Sequence, residues 1–246
     1  MMAAVVLLAM IGGWELYVHA SGIDELLLPA PSAVGEALYD DRGLLWENFT
    51  VTAGEIGLGI AAAVAVGLAC AIAIHFSPAL RRALYPLLVG SQTIPIPVVA
   101  PLLVVWFGFD LGPKIAIVAL VCFFSIVVPT LDALARVDAD QRKLMRSFGA
   151  SRWQTFRMVE APAALPGLFT GAKLSVAIAA IAAILAEQAG TEKGIGRIVD
   201  QALAQFETPR AYAAVLLLSA FAVALFGLLA LAERKLLPWA HEPRQP

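Results

Sequence analysis

The sequence predicts an all-α membrane protein with six transmembrane helices, and two observations support this prediction. The first is composition. Hydrophobic residues make up 60% of the 246 residues and charged residues 15%, against roughly 45–50% and about 25% in soluble domains. Mean hydropathy is +0.81, so the chain has too few polar side chains to cover a water-exposed surface and is too apolar to stay disordered. The second observation is the length of its apolar runs.

A helix needs about 20 apolar residues to cross the hydrocarbon core, and six apolar runs have close to this length. They are Met2–Val18, Val51–Phe76, Leu84–Phe107, Pro113–Ala135, Pro166–Ala189 and Ala211–Ala232. We assign residues 1–246 to a single transmembrane domain. The first run is expected to be a retained helix rather than a cleaved signal peptide, because no basic segment precedes it and no small-residue cleavage pattern follows it.

The distribution of Lys and Arg predicts which side of the membrane is cytoplasmic. With six spans, both termini and the segment 136–165 share one side. That side carries eleven basic residues: Arg81, Arg82, Arg136, Arg142, Lys143, Arg146, Arg152, Arg157, Arg234, Lys235 and Arg244. The other side carries five: Arg42, Lys114, Lys193, Arg197 and Arg210. The positive-inside rule therefore places both termini and the segment 136–165 in the cytoplasm.

Residues 136–165, called the elbow below, are predicted to form two short helices joined at a glycine. Asp138–Phe148 has acidic residues in its first turn and basic residues later, a distribution that the helix dipole favours. Gly149 suits the left-handed conformation that ends many helices. Ser151 and Gln154 match the capping box that begins a helix.

The second helix of the elbow is predicted over Arg152–Glu160. Pro162 is expected to end it, because proline has no N–H to donate. Trp153 and Phe156 lie three residues apart and form an aromatic edge. These residues leave two roles open: the elbow is either an amphipathic anchor on anionic lipid or a docking surface for a soluble partner.

The elbow sequence resembles the cytoplasmic loop of binding-protein-dependent ABC importer permeases. The runs SFGASRWQTFR (147–157) and VEAPAALPG (159–167) place Gly149, Val159 and Pro162 at that family's glycine, aliphatic and proline positions.

The resemblance extends over nearly the whole chain, with two departures in the elbow. KLM (143–145) replaces the family's Glu-Ala-Ala, and Ala161 replaces its leucine. Permeases of the nitrate, sulfonate and taurine branch resemble three further parts: LPAPSAV (28–34), QTIPIPVVAPLLVVWFG (92–108), and AEQAG (186–190) with GIG (194–196). Permeases for a thiamine pyrimidine precursor share the same pattern, so the solute does not follow from it.

The resemblance implies a MetI-like permease fold in a bacterial inner membrane, importing a small polar solute by alternating access. It implies three kinds of protein partner: two copies of a cytoplasmic ABC ATPase, a second and identical permease copy, and an external substrate-binding protein. The chain has no G-x-x-x-x-G-K-[ST] phosphate loop, which an ATPase would need. ATP and Mg²⁺ are therefore expected on the partner ATPase, and no cofactor is expected on this chain.

In this family the second helix of the loop, the coupling helix, sits in a groove of the ATPase. The resemblance thus assigns ATPase coupling to Gly149, Ala150, Ser151, Arg152, Trp153, Phe156, Arg157 and Pro162. Trp153 and Phe156 are expected to be apolar anchors in that groove, since aromatic side chains dominate interface energetics. Arg152 and Arg157 are expected to form its polar rim.

The third apolar run contains Pro95, Pro97 and Pro101, which remove three backbone donors, so the helix must bend or break. Within hydrocarbon, such backbone is stable only where protein or a water-filled cavity satisfies it. A packing kink is the alternative to a translocation pathway. We assign the pathway to Ser91, Gln92, Thr93, Pro95, Pro97 and Glu187.

Charged residues within the runs give further expectations. Glu187 is expected to pair with Lys193 or Arg197, or to shape the outer vestibule. Glu55 is expected to reach water, and Lys173 to extend to the interface rather than bind an anion. The sequence suggests neither a nucleophile–base pair nor a metal-ligand cluster, so no catalytic or metal site is expected.

Two other functions compete with the permease. A secondary carrier driven by an ion gradient is expected to have inverted repeats and acids near the membrane midplane, and neither is clear here. A membrane scaffold that moves nothing is the other alternative. The net charge of −2 gives no electrostatic footprint for nucleic acid.

Overall fold

The computed structural model describes residues 2–108 and 110–240, and the regular elements within these ranges are helical. In chain order they are α1 (Met2–Ser21), α2 (Pro31–Asp40), α3 (Arg42–Phe76), α4 (Pro78–Ser91), α5 (Ile96–Phe107), α6 (Leu111–Ala135), α7 (Ala139–Ser147), α8 (Arg152–Thr155), a π-helical turn (Phe156–Glu160), α9 (Ala161–Gln188), α10 (Ile195–Ala204), α11 (Thr208–Leu236) and a 3-10 turn (Pro238–Ala240). Arg244, one of the basic residues used to predict orientation, lies outside the described residues.

Four helices are long and apolar enough to cross a membrane. They are α3, α6, α11 and the continuous helix Arg152–Gln188, which joins α8, the π-helical turn and α9 and is called the rod below. Each corresponds to one of the six predicted spans. The first predicted span is the helix α1, whose described apolar part, Val5–Ser21, is shorter than these four.

The predicted third span, Leu84–Phe107, is two helices rather than one. α4 and α5 are inclined at 101° across a short break, so the bend expected from the prolines is confirmed but a single continuous span was wrong. Pro95 precedes α5, and Pro97 lies in its first turn, where the missing N–H has no intrahelical partner to lose.

The core lies where α3, α6 and α9 pack against one another, with α10 and α11 beside them. Small residues permit this close approach. A Cβ added at Gly59 of α3 would overlap the Val118 side chain of α6, and one at Gly171 of α9 would overlap the backbone at Ser125. Buried residues of this core include Ile56, Ile60, Val118, Ile126, Val176, Ala183, Ile195 and Leu218.

The elbow and the C-terminal ends of α3 and α6 lie on one side of the bundle, called the elbow side. α2, α10 and the loop before α10 lie on the opposite side. There α1 is attached through Glu15, whose carboxylate accepts hydrogen bonds from the Ser32 N–H at 3.0 Å and the Ser32 hydroxyl at 2.7 Å.

We expect Gly59→Ala to destabilise the α3–α6 contact, because its new methyl group meets Val118 in a packed interior. Overpacking of this kind costs about 1–3 kcal/mol and should lower the melting temperature of the purified protein. Gly57→Ala is the matched control, since it adds the same methyl group two residues away with no described atom within 4 Å. Equal melting temperatures for the two variants would contradict the packing role of Gly59.

Candidate functional site

The first half of the elbow has the predicted form. α7 begins at Asp138, whose side chain accepts a hydrogen bond from the Asp140 N–H at 2.8 Å. Gly149 has φ +74°, the left-handed conformation that glycine adopts without steric cost. The Ala150 N–H then bonds the Met145 carbonyl at 3.0 Å, which closes the end of α7.

The capping box predicted for the second half is also confirmed. The Gln154 N–H donates to Ser151 Oγ at 3.2 Å, and the Ser151 N–H donates to Gln154 Oε1 at 2.7 Å. The two bonds satisfy backbone donors that the start of a helix would otherwise leave unpaired.

Pro162 does not end the second helix, and that prediction was wrong. The π-helical turn Phe156–Glu160 leads directly into α9, and the Ala161 N–H bonds the Phe156 carbonyl five residues back. Proline is tolerated in the first turn of an α-helix, where its missing N–H has no intrahelical partner to lose. Pro162 therefore lies in the first turn of α9, and the elbow continues without interruption into a membrane-spanning helix.

The structure corrects the assignment of Phe156 as a surface anchor. Its side chain is only 6% exposed and is buried with Leu134 and Ala164. Trp153 is 57% exposed and stacks on Phe156, with ring centroids 5.4 Å apart. Of the two predicted aromatic anchors, Trp153 alone is exposed.

Among the remaining elbow residues, Arg152 and Arg157 are exposed, as a polar rim requires. The Arg152 guanidinium also lies over the Phe76 ring of α3 at 5.0 Å, and the centroid of that ring lies 6.1 Å from that of Trp153 and 5.1 Å from that of Phe156.

Sequence reasoning missed the carboxylate that fastens the elbow to the spans. Glu160 is buried; its Oε2 lies 2.8 Å from His75 Nε2, and its Oε1 lies 3.0 Å from Arg142 Nε. These residues come from the rod, α3 and α7. The predicted spans place Glu160, His75 and Arg142 at the same side of the membrane, which is a sequence signal for an ion-pair cluster. Sequence spacing alone does not show that the three side chains meet.

The predicted pathway residues on the third span lie at the α4–α5 break. Ser91, Gln92 and Pro95 line a cavity of 380 Å³ whose other walls are apolar residues of α5 and α6. The hydroxyls of Ser91 and Thr93 bond nearby carbonyls of α4, at 2.7 and 2.8 Å. The Gln92 side chain is exposed and makes no hydrogen bond to a described residue.

Thr93 and Pro97 are also exposed but do not line this cavity. They lie beside the break, Thr93 just before it and Pro97 in the first turn of α5.

Glu187 is not placed as predicted. Its side chain is fully buried. Its Oε1 accepts a hydrogen bond from the Thr52 hydroxyl at 2.6 Å, and its Oε2 accepts one from the Gly196 N–H at 2.6 Å. Lys193 pairs instead with Glu47 at 2.7 Å, and that hydrogen bond raises the pKa of Lys193.

Glu187 therefore holds together three helices rather than lining a vestibule. The Ile195 N–H donates to Thr52 Oγ1 at 2.9 Å, and the Gly194 N–H donates to Asn48 Oδ1 at 2.8 Å. Side chains of α3 and α9 thus satisfy the first backbone donors of α10, which would otherwise be unpaired. A Cβ added at Gly194 would collide with the Glu187 carboxylate, and one at Gly196 would collide with the Ile184 carbonyl oxygen.

Two other charged residues also find protein partners. Glu55, expected to reach water, is fully buried and bonds Lys114 at 2.8 Å. Lys173, expected to extend to the interface, instead bonds Glu233 of α11 at 2.6 Å.

The chain matches the family model described as "Binding-protein-dependent transport system inner membrane component" over residues 63–238. It is 35% identical over 237 residues to the riboflavin transport system permease protein RibX of Chloroflexus aurantiacus, covering 96% of this chain and 88% of that protein. It is 32% identical over 227 residues to the formylaminopyrimidine transport permease protein ThiX of Halalkalibacterium halodurans, covering 92% and 90%.

The chain is also 29% identical over 228 residues to the taurine transport system permease protein TauC of Escherichia coli, covering 89% of this chain and 82% of that protein. Among solved structures, a chain of an amino acid ABC transporter with histidines has a TM-score of 0.63 at 18% identity, covering 80% of this chain and 96% of that chain. At this identity the likeness concerns the fold alone, and it agrees with the fold that the sequence resemblance implied.

We expect Glu187→Gln to weaken the junction of α3, α9 and α10. One acceptor oxygen becomes an NH₂ group, which cannot accept from the Thr52 hydroxyl or the Gly196 N–H. An unsatisfied buried polar group costs about 1–3 kcal/mol, so the melting temperature should fall. Glu192→Gln, which changes an exposed acid on the same side, is the control. If the Glu187→Gln protein has the same melting temperature as the wild type, this carboxylate does not stabilise the junction.

Proposed function

This chain belongs to the binding-protein-dependent transport system inner membrane component family, as the permease subunit of an ABC importer with a MetI-like fold, and from this premise we propose that its elbow couples the spans to a cytoplasmic ATPase. The observation that carries the proposal is the continuity of the rod from Arg152 to Gln188. A push on the exposed start of the rod is transmitted directly into a membrane-spanning helix.

The surface that the elbow presents suits such a partner. Trp153 is the apolar anchor, and Arg152 and Arg157 surround it as polar groups. Anchors of this type, an exposed aromatic residue with arginines at its rim, contribute much of the energy of protein interfaces. Phe156 and Glu160 have the complementary role, because they are buried and fix the start of the rod, Phe156 to α3 and Glu160 to α3 and α7.

The assembly contains two permease copies, two ATPase chains and an external binding protein, with the elbow side facing the cytoplasm. A second, identical copy completes the pathway, since α5 exposes large apolar side chains next to the cavity at the α4–α5 break. These side chains are Val98, Leu102, Val105, Trp106 and Phe107. ATP binding closes the ATPases and moves the elbows, and the spans then open outward to receive the solute; hydrolysis returns them to the inward-facing state.

The pathway lining supports an uncharged nitrogen heterocycle as the solute rather than a sulfonate. Ser91 and Gln92 supply polar groups at the cavity, and its lining among the described residues carries no charged side chain. The lysines of α6 and α9 are already paired, Lys114 with Glu55 and Lys173 with Glu233. A sulfonate is anionic at all physiological pH values and would need an available cation or several aligned donors to leave water.

We expect vesicles that contain this chain, its ATPase and its binding protein to take up a formylaminopyrimidine or riboflavin when ATP is supplied to the ATPase side, and to take up taurine poorly. Both relatives that transport such heterocycles are at least 32% identical to this chain. Omitting the ATPase or the binding protein is the control. Uptake driven by an ion gradient with this chain alone would support the secondary carrier, and no flux under any condition would support the scaffold. Taurine uptake alone would keep the importer but refute the heterocycle.

We expect Gly149→Val to uncouple transport. A β-branched residue is strained at φ +74° by about 1–2 kcal/mol, so the angle between α7 and the rod changes, and solute uptake falls while membrane insertion remains. Gly149→Asn is the matched control, because Asn tolerates the left-handed region and no described atom lies within 4 Å of a Cβ at this position. Uptake in vesicles is the measurement, with ATP hydrolysis recorded alongside. Normal uptake by Gly149→Val would contradict the coupling role of the elbow.

A further inference from the structure

A basic cavity of 520 Å³ lies between the elbow and the elbow-side ends of α3, α4 and α6. Four arginines line it, and Glu160 is the one acid among the described residues of its lining. The arginines are Arg81, Arg142, Arg146 and Arg152. This cavity is separate from the one at the α4–α5 break: Pro78 and Arg81 line it at the start of α4, whereas Ser91 lines the other at the end of that helix.

Two of the four arginines are used by the protein itself. Arg142 pairs with Glu160 at 3.0 Å and donates to the Leu134 carbonyl at 3.0 Å. Arg152 donates to the His75 carbonyl at 3.4 Å. These carbonyls belong to the last turns of α6 and α3, where the helix dipole favours a cation.

The other two arginines have no such use. The side chains of Arg81, from α4, and Arg146, from α7, make no hydrogen bond or ion pair with any residue that the structure describes, yet both line the cavity. Gathering like charges in a cavity is unfavourable unless an anion offsets their repulsion. The cavity therefore has an excess of positive charge that its one carboxylate, already bound to His75 and Arg142, does not neutralise.

We propose that this cavity binds a phosphate group, with Arg81 and Arg146 as its ligands. The planar guanidinium group matches phosphate oxygens in paired hydrogen bonds. The cavity lies where the apolar parts of α3 and α6 end, which is the level of lipid headgroups. The phosphate comes either from an anionic phospholipid or from a soluble phosphate, and the chemistry of recognition is the same.

The bound phosphate would join α4 to α7. No ion pair between described side chains connects these two helices. Arg81 belongs to α4, which leads into the break, and Arg146 belongs to α7, the first helix of the elbow. A phosphate held by both ties the elbow to α4 and stabilises one position of the elbow relative to the spans. This inference concerns a separate site and does not require that the proposed solute be correct.

The test uses the full-length protein in nanodiscs. In one arm the lipid is phosphatidylcholine and inorganic phosphate is added against chloride at constant ionic strength, so that screening alone changes nothing. In the other arm, phosphatidylglycerol replaces part of the phosphatidylcholine. A ligand that binds only the folded state stabilises it by RT ln(1 + [L]/Kd), so the melting temperature rises with ligand concentration. We expect a rise in at least one arm, and we expect Arg81→Gln with Arg146→Gln to weaken the apparent affinity about tenfold or more.

Arg234→Gln with Lys235→Gln is the matched control, because it removes two exposed charges from the same side outside the cavity and should keep the rise. In phosphatidylcholine without added inorganic phosphate, the cavity variant should melt at or above the wild-type temperature, because it is folded and two of the like charges are gone. A rise in phosphatidylglycerol alone identifies a lipid headgroup, and a rise with inorganic phosphate identifies a soluble source. No rise in either arm, or a rise that the cavity variant retains in full, would overturn the proposal.

Discussion

The structure depends on one uninterrupted helix from Arg152 to Gln188. Its 37 residues correspond to about 55 Å at 1.5 Å per residue, enough to extend from the elbow across the membrane. The π-helical turn makes this possible, because it accommodates Pro162 at the point where an ordinary helix would be expected to end. Both ends of the rod are fixed by buried acids: Glu160 joins it to α3 and α7, and Glu187 joins it to α3 and α10.

Ion pairs inside the apolar bundle connect its helices to one another. Lys114 with Glu55 joins α6 to α3, and Lys173 with Glu233 joins the rod to α11. An unpaired charge is costly in hydrocarbon, so a charge that cannot reach water is stable only next to its partner. Removing one member of such a pair leaves the other uncompensated. This requirement gives an apolar bundle, which has little hydrophobic force between its helices, a specific arrangement of its spans.

Run length and local capping chemistry predicted much of the fold. Apolar runs of sufficient length predicted the four long spans, and residues close in sequence predicted the left-handed Gly149 and the capping box of Ser151. Features that depend on distant residues were not predictable. Phe156 was misassigned because helical spacing does not reveal which face another helix will cover. Glu187 was misassigned because its partners lie 135 positions away at Thr52 and across a loop at Gly196.

The cavity at the α4–α5 break and the rod are connected through a small apolar cluster. Ala100 of α5, Ile117 of α6 and Ala186 of the rod are buried together, and Ile117 also lines the cavity at the α4–α5 break. Ala186 immediately precedes Glu187, so the part of the rod that touches α5 is also the part fixed to α3 and α10. Packed interiors transmit displacement rather than absorbing it. A tilt of the rod that begins at the elbow would therefore act on α5 and on the cavity wall together, because Ala186 and Ile117 are packed against Ala100.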